Sequence, residues 1–129
     1  MKKHLPIVAG IVLGLLFVMS AVMVLFNLVK MPPMPEGTPP AMFFAAFGPT
    51  GYMKFVKVLE LAGGLLVMIP RLRNVGLLVL GPIIVNILAF HLFIGGGFKD
   101  LLNPMILIII TLSLYLLWVG RKNFSGLLN

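Results

Sequence analysis

The sequence predicts an all-α membrane fold: an antiparallel, up-down bundle of four transmembrane helices with a long first loop that carries a short interfacial helix. Three observations lead there. The composition is 60% apolar and only 10% charged, against about 25% charged in a soluble domain. Mean hydropathy is +1.15. The apolar residues fall in four long runs separated by short polar breaks, which is the pattern of repeated membrane crossing. At 129 residues the chain reads as a single integral membrane domain over 1–129.

The first run, 5–28, follows a basic start with Lys2, Lys3 and His4. A signal peptide begins the same way, but its apolar core is shorter and stops at a small-residue cleavage site. This run continues through Ser20 and Ala21 into further apolar residues, so it reads as a span. Gly10 and Gly14 form a GxxxG pair, a spacing that lets a second helix approach closely. His4 carries no specific role.

The longest break, 30–51, opens with MPPMPEGTPP, whose prolines disfavour helix and favour extended backbone. AMFFAAF at 41–47 is too short to span and too apolar for a free loop. It reads as a short helix at the membrane surface or over the mouth of the bundle. The GPTG sequence at 48–51 then makes a turn. Such cover is longer than a connector needs; a functional lid and a plain hairpin linker both fit it.

The second span, 52–69, is stopped by Pro70, Arg71 and Arg73. The third, 75–94, contains Gly81-Pro82, where a kink is expected because proline removes the donor for the Leu78 carbonyl. Gly95, Gly96 and Gly97 end it. The fourth, 101–119, tolerates Pro104 in its first turn and closes on Arg121 and Lys122. Four spans place the N-terminus, the 70–74 loop and the C-terminus on one side, with six basic residues and no acid. The other side holds Lys30, Lys54 and Lys99 with Glu36 and Asp100. This asymmetry puts both termini in the cytoplasm. Tyr52 and Trp118 sit where aromatic anchors belong.

The candidate site is built around Glu60, the one acid inside an apolar run. A carboxylate at that depth is costly and calls for a partner or a use. With about 1.5 Å of rise per residue, Glu60 lies about 12 Å below the outer edge. Ser20 on the first span, Asn86 on the third and Thr111 on the fourth fall at similar depths. A polar layer with one contribution from each helix is therefore expected. Lys57, His91 and Asn27 form a shallower set. Lys57, three residues before Glu60, can pair with it or extend to the headgroups. Asn86 and His91 are roughly 140° apart around a straight helix, so both face Glu60 only across a cleft or a distorted helix.

Plainer readings stand beside these. Ser20 and Thr111 can satisfy their own helix backbones. Asn86 can make an ordinary interhelical hydrogen bond. His91 can be a hydrogen-bonded structural residue.

Several chemistries are excluded or disfavoured. The absence of cysteine removes thiolate catalysis, disulfides and thiolate metal sites. One acid and one histidine within the spans do not make a metal site. No serine or threonine sits beside a histidine as a nucleophile–base pair. The net charge of +7 is spread in ones and twos at the ends of apolar runs, as expected beside a bilayer and unlike a nucleic-acid surface.

Several segments carry a family likeness: FGPTGY, VLELAGGLLVMIPR and GPIIVNILAFHLF, followed by a last apolar span and a basic tail. Taken together they make the chain resemble the DoxX-like family of small bacterial four-helix membrane proteins, over nearly its whole length. The resemblance implies a bacterial inner-membrane location. It also implies a polar site marked by Glu60, Asn86 and His91, and carries no metal or haem motif. Some relatives are associated with thiosulfate:quinone oxidation or oxidative-stress complexes. The expected function is thus a redox-associated subunit with an intramembrane site for a quinone or similar amphipathic molecule. There Glu60 would exchange a proton, and Asn86, His91, Lys57, Ser20 and Thr111 would line the site. The alternative is a non-catalytic interaction or assembly subunit. Expected partners are the lipid bilayer and either further copies of the chain or a membrane or soluble redox protein.

Overall fold

The computed structural model describes residues 4–26, 28 and 35–127, and all regular structure among them is helical. Helix α1 spans Leu5–Leu25, α2 Pro39–Phe47 and α3 Tyr52–Met68. A 3₁₀ turn at Pro70–Leu72 leads into α4, Arg73–Ala89, which winds on through a π-helical turn at Phe90–Ile94. Short α5, Phe98–Leu101, precedes α6, Pro104–Val119, and α7, Arg121–Ser125.

Two of these segments are long and apolar enough to cross a membrane: Leu5–Leu25 and the continuous winding from Pro70 to Ile94. At 17 and 16 residues, α3 and α6 are shorter than the expected spans. Their rise is about 25 Å each, under the roughly 30 Å of a hydrocarbon core.

The shortening has local causes. Asn103 accepts a hydrogen bond from the Met105 amide at 2.9 Å, an N-cap that starts α6 at Pro104 rather than at 101. The first span ends at Leu25 rather than 28, where the Leu28 amide reaches back to the Met23 carbonyl. Pro39 and Pro40, expected in extended backbone, occupy the first turn of α2, where proline costs no hydrogen bond. At the other end of α4, the expected stop near Ile94 is a π turn. There the Gly95 amide bonds the Phe90 carbonyl at 2.7 Å and the Gly97 amide bonds that of His91 at 2.9 Å.

The packing follows from small residues at helical spacing. On α1 the buried face is Ala9, Gly10, Leu13, Gly14, Phe17 and Ala21, a single stripe at three- and four-residue intervals. It lies against Gly64 and Val67 of α3. A methyl group on Gly10 would stand 2.7 Å from the Val67 carbonyl oxygen, and one on Gly64 2.9 Å from that of Gly14. The two backbones are therefore in contact, as the GxxxG spacing predicts.

The same device joins α3 to α4, where a methyl group on Gly76 would meet Val67 and Gly63 backbone atoms at 2.6 and 2.9 Å. Pairing of Gly10 with Val67 and Gly14 with Gly64 makes α1 and α3 antiparallel. Contacts of Gly76 with Val67 and of Gly63 with Leu80 do the same for α3 and α4. Helix α6 lies across α1 and α4. Its last turn touches the first turn of α4, where Gly120 abuts Asn74.

The core so formed is apolar: Leu13, Val67, Leu80 and Leu116 are fully enclosed. The outside is apolar as well. Leu15, Val58, Val85, Phe93 and Trp118 are exposed large side chains on five different stretches of the surface. Apolar surface so widely distributed matches a lipid environment, where greasy side chains cover the outside of a helix bundle.

Adding one methyl group at Gly14 forces the α1 and α3 backbones apart. Gly14→Ala is expected to cost about 1–3 kcal/mol and to lower the unfolding temperature in detergent. Gly81→Ala, where a methyl group meets nothing within 4 Å, is expected to leave that temperature unchanged.

Candidate functional site

The α1–α3 contact decides which polar groups meet. Antiparallel register brings the last turns of α1 beside the first turns of α3, so Ser20 faces Lys57. The Lys57 ammonium donates to the Ser20 hydroxyl at 3.2 Å and stands 3.0 Å from a carboxylate oxygen of Glu60. Glu60 is 3% exposed, and the Lys57 side chain is largely enclosed as well. Lys57 thus turns inward to its neighbour instead of extending to the headgroups. The result is a chain of three groups in which the ammonium sits between a carboxylate and a hydroxyl. Each charge is met by the other, which is the condition for holding either in a low-dielectric interior.

The other two helices do not complete the expected layer. Asn86 on α4 and Thr111 on α6 are both exposed. Helical geometry explains this. The buried face of α4 is Gly76, Leu77, Leu80, Ile83 and Ile84, and Ile87 and Leu88 pack on the core along the same stripe. Asn86 falls off that stripe. On α6 the buried positions are Ile106, Ser113 and Leu116, and Thr111, two residues before Ser113, points about 160° away from it. The layer is therefore a trio on α1 and α3.

His91 lies apart, in the π turn. Its Nδ1 is 3.6 Å from an Asp100 carboxylate oxygen, a separation longer than a hydrogen bond. That Nδ1 is buried with no hydrogen-bond partner among the described residues. Asp100 in turn accepts from the Gly96 amide at 2.7 Å. The His91 ring packs edge-on against Phe90, with centroids 5.6 Å apart. Phe90 receives Phe43 and Phe44 of α2 at 4.8 and 5.7 Å, and Phe47 lies 4.7 Å from Tyr52. Helix α2 is thus folded over the end of the molecule where α3 begins and α4 ends. Asn27, the remaining member of the shallow set, lies outside the described residues.

One polar residue with a place in the core was missed by the depth argument. Ser113 is 7% exposed and its hydroxyl is buried without a hydrogen-bond partner among the described residues. Its signal was available, since Ser113 lies seven residues after Ile106 and three before Leu116, on one face of the helix. Ser113 lines an open groove of about 240 Å³ between α4 and α6, with Leu77, Gly81, Ile84, Leu88 and Leu117 among the other walls. Among the described residues, no group of three metal-binding side chains comes together.

The pairing predicts a non-additive stability cycle. Removing Lys57 alone, as Lys57→Met, leaves a buried carboxylate without its partner and is expected to cost about 3–5 kcal/mol. Adding Glu60→Gln to that variant should recover a large part of the loss in a detergent unfolding assay. Ser20→Ala, which removes one neutral acceptor, should cost about 0.6 kcal/mol.

Comparison with known proteins adds a partial likeness. No family model matches the chain, and no solved structure matches it. It is similar to the uncharacterized protein YwoB of Bacillus subtilis (strain 168), at 33% identity over 76 residues. That match covers 59% of this chain and 47% of the relative, so the chain spans less than half the length of the protein it resembles.

Proposed function

We propose that the chain is a four-span bacterial inner-membrane protein of the DoxX-like type that serves as a non-catalytic assembly subunit, docking a helix of a membrane partner in the groove between α4 and α6. The observation that carries this reading is the groove itself. Gly81 leaves open space on one wall, and the small residue Ser113, its hydroxyl turned away from the surface, lies on the other. Small residues that admit a second backbone into an apolar groove are what helix association in lipid uses. The polar trio supports the same reading, because its charges are met within the trio. It acts as a clamp between α1 and α3.

In this reading α3 and α6 complete their crossings with the turns that flank them. Both termini and the 70–74 loop lie in the cytoplasm, following the excess of basic residues there.

A second reading, a site for a quinone or similar aromatic carbonyl compound, is favoured by one specific observation. The edge-to-face cluster of Phe43, Phe44 and Phe90 adjoins the ring of His91, whose Nδ1 has no hydrogen-bond partner among the described residues. Aromatic walls with one polar group are suited to a flat, weakly polar ring. The redox role of the subunit would then reside at the covered end and not at Glu60.

A photo-crosslinking side chain at Val85, on the groove wall, is expected to give a discrete protein adduct in living cells, whereas the same group at Leu15 on α1 gives only lipid. Lipid-only adducts at both positions would remove the docking reading. A quinone recovered in stoichiometric amount from the gently purified protein, and lost in His91→Gln, would put the second reading in its place. The topology is checked separately: an alkaline phosphatase fusion at Gly96 should be active and one at the C-terminus inactive.

A further inference from the structure

A second groove, of about 370 Å³, opens where the first turn of α1 meets the last turn of α6, and it is lined by Leu5, Pro6, Tyr115, Trp118, Val119 and Arg121. Its walls are aliphatic and aromatic, and one rim is a guanidinium. Arg121 lies 4.2 Å from the centroid of the Trp118 ring and donates one N–H to the Trp118 carbonyl at 2.8 Å. Its other four donors have no hydrogen-bond acceptor among the described residues, and the group is oriented by the ring and the helix end.

The electrostatics of this end are one-sided. Arg71, Arg73, Arg121 and Lys122 gather here. All three acids of the chain lie elsewhere: Glu36 before α2, Glu60 midway along α3, and Asp100 in α5. The Nε of Arg73 is itself buried without a hydrogen-bond partner among the described residues. A concave apolar surface that ends in an oriented, uncompensated guanidinium is complementary to one kind of molecule, an amphiphile with an anionic head.

We propose that this groove binds one anionic phospholipid, its phosphate on Arg121 and one acyl chain against Leu5, Pro6, Val119 and the ring of Tyr115. The proposal rests on the membrane reading above and adds a defined site with a preference for headgroup charge. Basic pockets between helix ends hold acidic headgroups in this way, and a Trp–Arg pair belongs at that depth.

The molecule carries its own probe, because Trp118 is its one tryptophan and lies in the groove. The protein is reconstituted in vesicles of phosphatidylcholine mixed with either brominated phosphatidylglycerol or brominated phosphatidylcholine, at matched bromine content, and Trp118 fluorescence is read. The brominated anionic lipid is expected to associate about fivefold more strongly than the zwitterionic one, the preference conferred by roughly one basic contact. Arg121→Gln should abolish the preference while leaving quenching by brominated phosphatidylcholine unchanged, which shows that Trp118 still sits in the bilayer. Lys122→Gln, an equal loss of charge outside the groove, should keep most of it. Equal quenching by the two lipids in the unaltered protein would overturn the proposal, as would an equal loss in both variants, since diffuse surface charge would then be the cause. Failure of every brominated lipid to quench Trp118 would instead overturn the membrane reading on which the site rests.

Discussion

The interaction on which the rest depends is the backbone-to-backbone contact of α1 with α3. In the membrane reading proposed above there is no hydrophobic force to push two apolar helices together, so association comes from close van der Waals packing and hydrogen bonds. Gly10, Gly14 and Gly64 supply the closeness. The polar trio supplies the hydrogen bond and the charge pairing, and it can do so only because the helices are already within reach. Lys57 and Glu60 are three apart on one helix and could pair in isolation. The bond from Lys57 to Ser20 crosses to the other helix, which turns a local pair into a link between two elements.

That link also fixes register. Glycine and alanine alone would let one helix slide past another at little cost, and Leu13 and Phe17 are the large side chains that interrupt such a stripe on α1. A buried ammonium has no such freedom, because moving it by a turn would take it from the Ser20 hydroxyl and present it to aliphatic side chains. Specifying one alignment among several is the best-attested use of buried polar groups. The depth of the trio suits this, since it lies at the end of α1 remote from the glycine contacts and holds the helix pair at a second point.

Much of this was legible in the sequence. The helical segments follow from the apolar runs, a close helix contact at Gly10 and Gly14 from GxxxG, and the pairing of Lys57 with Glu60 from their three-residue spacing. What failed was rotation. Depth along an axis follows from counting residues, but the direction a side chain takes around that axis needs the buried stripe of its helix. On α4 and α6 nearly every residue is apolar, so composition marks no inner face. Asn86 and Thr111 were therefore placed on the wrong side of their helices. The residues that define the inner faces, Gly76, Leu80 and Ser113 among them, do obey helical spacing, but only the packed structure shows which of several apolar stripes is the inner one. The starts of α2 and α6 were missed for a different reason: Pro39 in a first turn and Asn103 as a cap act locally, which apolar runs do not report.

The uneven distribution of tight contacts gives α6 a different status from its neighbours. Helix α1 buries six residues, whereas α6 buries three, and a close contact is at its C-terminal cap, where Gly120 lies against the Asn74 side chain. A helix anchored at its end and lightly packed along its length is the element whose position is most open to whatever lies beside it. Both grooves have α6 as a wall, one facing α4 and one facing the start of α1. A helix or a lipid seated in either would supply contacts that the chain itself does not make. Stability along α6 is then shared between the protein and its surroundings, while the three helices joined through glycine and the trio hold their arrangement independently of them.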